Sequence, residues 1–149
     1  SRSKRSQRMI NVTDVRTFES LTIGESASLE HMISENDIAR FSELSGDYNP
    51  LHVDDSYATT AGFGKRVVHG FFLGSLVSQL VGMRLPGKYA LLMRESLEFK
   101  KPAFIDETIV ITGTIVAKSE ATKIIELSIN ITRGGETITT GSAYARVLQ

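Results

Sequence analysis

Residues 69–83, "HGFFLGSLVSQLVGM", constrain the fold more than any other part of the chain. Their apolar positions, Phe71, Phe72, Leu73, Leu76, Val77, Leu80, Val81 and Met83, cover most of the circumference of a helix. A helix apolar nearly all round has to be enclosed by other elements. The wider run 67–85 also carries His69, Ser75, Ser78, Gln79, Arg84 and three glycines, which suits a buried helix and not a membrane span. Pro86-Gly87 then terminates it.

The chain beyond supplies the enclosure. Four runs follow, "YALLMRESLEFKKPAF", "ETIVITGTIVAKSEA", "TKIIELSINITRGG" and "ETITTGSAYARVLQ", rich in Ile, Val, Thr and Tyr. Alternation is clearest at Ile125, Leu127, Ile129 and Ile131, the two-residue period of a strand with one face inside. Asp106, Lys118-Ser119 and Gly134-Gly135 punctuate the runs, and the glycine pair predicts a tight hairpin. Upstream, 9–32 reads as an irregular stretch containing a strand or two, roughly "SLTIG" and "SASLEHM". A helix of about three turns is expected over 34–45, with Ser34 as cap, Asp37 three residues on, Ile38, Phe41 and Leu44 on one face and Gly46 as stop. In "VDDSYATTAGFG", Asp54 or Asp55 caps a short helical turn that Gly62 and Gly64 end. The expected class is α+β, an antiparallel sheet wrapped around a long central helix. Such a sheet has edges to cover, so a homodimer is the default.

Length allows one domain, here 9–149, after a basic segment 1–8, "SRSKRSQR", expected to be a disordered tail or an added remnant. No secretory signal fits, and a cytoplasmic protein is expected, or a mitochondrial one if a targeting segment has been removed. Seventeen basic and 17 acidic residues cancel, which argues against a nucleic-acid binder. No membrane partner is expected either. Absence of cysteine removes disulfides, thiolate metal sites and Cys nucleophiles.

Two segments carry chemistry. In "SGDYNPLH" (45–52), Gly46 permits a sharp exit from the preceding helix and Pro50 keeps Asn49 out of helical geometry. A turn between Asp47 and His52 brings a carboxylate and an imidazole together, equipment for moving protons near pH 7. The segment is also composed of common turn formers, so alone it reads first as a turn. In "VVHGFFLG", His69-Gly70 stand where the central helix starts, and the Gly70 N–H there can hold a carbonyl oxygen gaining negative charge. On its own this fragment is a capping turn. Together the two supply an acid/base pair and an oxyanion donor, a set suited to proton abstraction or addition beside a carbonyl.

The run Phe41, Leu44, Ser45-Gly46-Asp47-Tyr48-Asn49-Pro50-Leu51-His52, followed after five residues by Ala58, resembles the signature of the MaoC-like, (R)-specific enoyl-CoA hydratases (hydratase 2). "VVHGFFLGSLVSQL" resembles their central helix and "SLEFKKPAFIDETI" their next strand and bend, so the likeness runs from about residue 32 to the end. It implies a dimeric hot-dog fold and reversible hydration of trans-2-enoyl thioesters, carried on coenzyme A or an acyl carrier protein, without metal or redox cofactor. It also implies that Asp47 and His52 grip the reacting water, that Gly70 N–H binds the thioester oxygen, that Asn49 is a supporting amide and that Ser78 orients the carboxylate. Which of Asp47 and His52 is acid and which base is left open. Lys65 and Arg66 are candidate phosphate contacts, with Lys100 and Lys101 beside them; a solvated loop is the plainer reading of both pairs. His31 reads as a surface residue, and Phe71, Phe72, Leu76 and Leu80 as core first and tunnel lining second. Two rivals are a hot-dog thioesterase, which needs a carboxylate on or near the central helix, and a non-catalytic thioester-binding module. No Asp or Glu follows Gly70 up to Pro86, and both Asp47 and His52 are present, which counts against each.

Overall fold

The expected central helix runs from Gly70 to Met83, and Phe72, Leu73, Leu76, Val77, Leu80 and Val81 are buried along it. The computed structural model describes residues 12–149; the tail expected at 1–8 lies outside the described residues. In chain order the elements are β1 (Ser26–Met32), α1 (Glu35–Ser45), α2 (Pro50–Val53), α3 (Asp55–Thr60), α4 (Gly70–Met83), β2 (Ala90–Phe99), β3 (Thr108–Ser119), β4 (Ile124–Arg133) and β5 (Glu136–Val147). The five strands form one sheet in the order β1-β3-β4-β5-β2, antiparallel throughout.

The sheet's inner face is the apolar alternation read from the sequence. Ile109, Ile111 and Ile115 of β3 and Ile125, Leu127, Ile129 and Ile131 of β4 are buried against α4. Gly113 interrupts the β3 series for a reason: a Cβ there would come within 2.7 Å of Leu80 Cδ2, so the missing side chain lets the helix sit close to the sheet. Gly134 and Gly135 adopt φ of 56° and 81° and close the β4–β5 hairpin, as the glycine pair predicts.

Three local expectations need correction. "SLTIG" is not a strand: Phe18–Ser20 form a single 3₁₀ turn. Glu25 then folds the next residues into a turn by accepting the Thr22 N–H at 2.9 Å and pairing with Arg16 at 2.8 Å. His31 is not a free surface residue, because its Nε2 lies 2.8 Å from Asp37 Oδ2. That carboxylate also accepts the Ser34 N–H at 3.0 Å while Ser34 Oγ accepts the Asp37 N–H at 3.0 Å, so Asp completes a capping box usually built with Glu. Phe71 is not core: it is 83% exposed, on an open side of α4 that also presents Ser75, Ser78 and Gln79.

Candidate active site

Residues 45–53 are fixed by their own short side chains. Gly46, at φ 77°, turns the chain out of α1. Ser45 Oγ then accepts the Asp47 N–H at 3.1 Å, Asp47 Oδ1 accepts the Asn49 N–H at 3.2 Å, and Asn49 Oδ1 accepts the Leu51 N–H at 3.0 Å. Pro50 takes the first helical position of α2, where a missing N–H costs nothing. The outcome is that His52 rises from a one-turn helix facing back toward Asp47, a helix the sequence reading did not foresee.

His52 is set by one strong contact: its Nδ1 donates to the Val67 carbonyl at 2.6 Å. A carbonyl only accepts, so the proton of the neutral ring is on Nδ1 and the lone pair on Nε2. Nε2 lies 3.9 Å from Asp47 Oδ2, too far for a direct hydrogen bond and close enough for one oxygen atom to touch both. Asn49 caps α2 with its side chain and donates its backbone N–H to Asp47 Oδ1, while its side chain makes no hydrogen bond to Asp47 or His52 among the described residues. Ser78 lines the same hollow as Asp47, but no hydrogen bond joins the two among the described residues.

Two hollows flank the pair, one lined by each member. One, of about 580 Å³, is lined by Asp47 together with Phe41, Phe71, Ser78, Leu92 and Glu95. The other, of about 230 Å³, is lined by His52, Gly70, Phe99, Lys100 and Lys101. Gly70 is the first residue of α4, where the N–H has no intrahelical acceptor. A Cβ on Gly70 would fall 2.9–3.3 Å from the Phe99 ring, so any other residue there would have to displace that ring.

His69, read from the sequence only as part of the turn that starts the central helix, is built into the site. It is 2% exposed, and its Nε2 lies 3.0 Å from the Asp47 carbonyl and 3.2 Å from Ser42 Oγ. The carbonyl requires Nε2 to carry the proton, which leaves Nδ1 as a buried acceptor with no partner. Its ring stacks on His52 with centroids 4.0 Å apart and Phe41 meets its edge at 4.9 Å. Burial pushes the His69 pKa down, assisted by the neighbouring His52 and opposed by the bond to Asp47. One neutral ring thus braces both members of the pair. The available signal was a polar residue inside the apolar run "VVHGFF", since a buried polar group needs a partner.

Asp47, His52 and His69 offer ligand atoms within 4.8 Å of one another. The two imidazoles are stacked at an interplanar angle of 24°, so their in-plane lone pairs run side by side and do not converge on one ion at about 2.1 Å.

The basic candidates divide. Arg66 is paired with two carboxylates, its guanidinium 2.8 Å from Glu35 and 3.1 Å from Asp55. Lys65 Nζ lies over the Phe104 ring, 5.6 Å from its centroid. Lys101 pairs with Glu136 at 2.7 Å. Lys100 lines the hollow beside His52 and Gly70 and has no carboxylate within ion-pair distance among the described residues. A carboxylate absent from the helix itself is supplied from β2, where Glu95 lies against Gly74.

Residues 16–134 match the profile of the MaoC like domain. The chain is 37% identical over 130 residues to an (R)-specific enoyl-CoA hydratase of Aeromonas caviae, covering 87% of this chain and 97% of that protein. It is 33% identical over 106 residues to a mitochondrial 3-hydroxyacyl-[acyl-carrier-protein] dehydratase of Arabidopsis thaliana, covering 70% and 63%. Among solved structures, the (R)-hydratase from A. caviae involved in PHA biosynthesis superposes with a TM-score of 0.83 at 36% identity, over 87% of this chain and 98% of that one.

Proposed function

The chain belongs to the MaoC-like domain family and has its hot-dog fold, and from that premise we propose that it is an (R)-specific enoyl thioester hydratase. As a hydro-lyase it adds water reversibly across the C2–C3 double bond of a trans-2-enoyl thioester. The observation that carries this reading is the Asp47–His52 pair, with Nε2 and Oδ2 3.9 Å apart, Asp47 lining one hollow and His52 with Gly70 the other.

The thioester oxygen binds at Gly70 N–H, placing the carrier in the smaller hollow and the acyl tail in the larger. Water held between Asp47 Oδ2 and His52 Nε2 then stands over C3. Nε2 takes one proton as the water oxygen bonds to C3, and the π electrons move toward the thioester oxygen. The same Nε2–H delivers its proton to C2 as the enolate collapses, while Asp47 steadies the water through its second hydrogen. Dehydration runs these steps backward. Charge on the oxygen peaks in the transition state, and one well-placed donor there is worth about 2.7–4 kcal/mol. Addition of water is redox-neutral and every proton is handled by side chains, so the reaction calls for no metal or redox cofactor.

Lys100 is the best-placed cation for a phosphate of coenzyme A or of a carrier protein's prosthetic arm. The protein acts as a homodimer: β2 is an edge strand whose Leu91 and Met93 are exposed, an unpaired apolar edge suited to a second copy. The test is incubation with crotonyl-CoA and with its carrier-protein analogue, following loss of the conjugated double bond and the handedness of the product. (R)-3-hydroxyacyl thioester is expected. Release of free thiol without hydration would instead support a thioesterase using Glu95.

A further inference from the structure

The larger hollow contains a carboxyl that the hydration chemistry does not use. Glu95 projects from β2 toward α4, and a Cβ on Gly74 would stand 2.8 Å from its Oε2, so the glycine makes room for it. Its Oε1 is shielded from solvent and has no hydrogen-bond partner. Phe41, Phe71 and Leu92 supply the apolar part of the same hollow, and Ser45, Asp47, Ser75 and Ser78 its polar part, none of them hydrogen-bonded to Glu95 Oε1. Burial pushes the Glu95 carboxyl up from its ordinary value. A buried polar group left without a partner is costly, and a site built around one discriminates strongly between ligands that satisfy it and ligands that do not.

Its place along the acyl path follows from helix geometry. Gly74 is one turn beyond Gly70, about 6 Å along the axis, and an extended chain advances roughly 1.2 Å per bond. Counting from the thioester carbon at Gly70, the tail therefore reaches Glu95 about five bonds on, near C6. We propose that Glu95 is a specificity-determining residue that selects enoyl thioesters carrying a hydroxyl near C6 over plain alkyl chains of the same length. This rests on the hydratase reading above. An alkyl tail would bury the unpartnered carboxyl further, whereas a hydroxyl donates to it.

The experiment compares trans-2-hexenoyl-CoA with 6-hydroxy-trans-2-hexenoyl-CoA, using crotonyl-CoA, which ends short of Glu95, to normalise each protein. In the wild type the hydroxylated substrate should lead by about tenfold or more in kcat/KM. Glu95→Leu and the smaller Glu95→Ala should erase or reverse that lead, and Glu95→Gln, which still hydrogen-bonds, should keep most of it. Equal values for the two C6 substrates in the wild type overturn the inference, as does an unchanged ratio in the Leu or Ala variant. If Glu95→Leu fails to fold, the wild-type ratio and the Ala variant decide. Failure of the wild type on crotonyl-CoA would count against hydration itself, a separate result.

Discussion

The molecule divides into a wrapped core and an overhang, and the two are held by different forces. The core, α4 inside the sheet, is a contiguous apolar cluster whose fully buried strand members come from β3, β4 and β5, with Ala27 and Leu29 of β1 and Ala90 and Leu97 of β2 packed against it. The overhang, α1 to α3, buries only Ile38, Ser42 and Ala58. It keeps its shape through hydrogen bonds between residues two or three apart, plus the few that tie it down: His52 to Val67 and His69 to Ser42 and Asp47. Area burial supplies the stability of the first region, and oriented polar contacts supply the geometry of the second. Chemistry sits where they touch.

If that division is right, rate and stability should separate by region. The largest effect is expected from His52→Ala, lowering kcat for crotonyl-CoA hydration by about 10²–10⁴-fold, the usual worth of a positioned acid or base, followed by Asp47→Asn, which loses the charge-assisted hold on the water. Thermal midpoints should stay near the wild-type value, and a large fall in either would break the comparison. Leu80→Ala, in the core against Gly113, should do the opposite. It should cost about 2–5 kcal/mol in denaturant unfolding, with kcat of the folded fraction little changed. Asn49→Ala removes the cap of the one-turn helix that carries His52. A cap is worth about 1 kcal/mol, and here it should appear in kcat more than in the midpoint of unfolding.

The smallest effect concerns His69, which joins the two regions. Its pKa is lowered in the folded state from the ordinary value of 6.5, chiefly by burial. The unfolded chain therefore binds more protons below about pH 6.5, and stability rises with pH through that range. Acidification should weaken the wild type there more than His69→Phe, which keeps the stack but has no titrating nitrogen. Unfolding midpoints measured across that pH range would show whether the slopes differ.

The core was legible because its signals are periodic: α4 is apolar nearly all round, and Ile125 to Ile131 alternate. The Asp47–His52 turn was legible because Gly46, Asn49 and Pro50 restrict the backbone locally. What escaped depends on contacts between distant segments. His69 meets Ser42 across 27 residues and Asp47 across 22. Glu95 reaches Gly74 only because of how β2 is registered against α4. Phe71 misled for a related reason, since a helix apolar on all sides does not announce which side the sheet leaves uncovered.

The Gly134–Gly135 turn has a bearing on time as well as shape. It joins β4 and β5 by the shortest connection in the sheet, so closing that loop costs little entropy, whereas β1 must find β3 across as many as 88 residues. Assembly should begin at this hairpin and finish with the outermost strand. Until then α4, with Gly70 at its head, is partly uncovered, so the part of the chain to which we assign substrate binding is also among the last to be sheltered during folding.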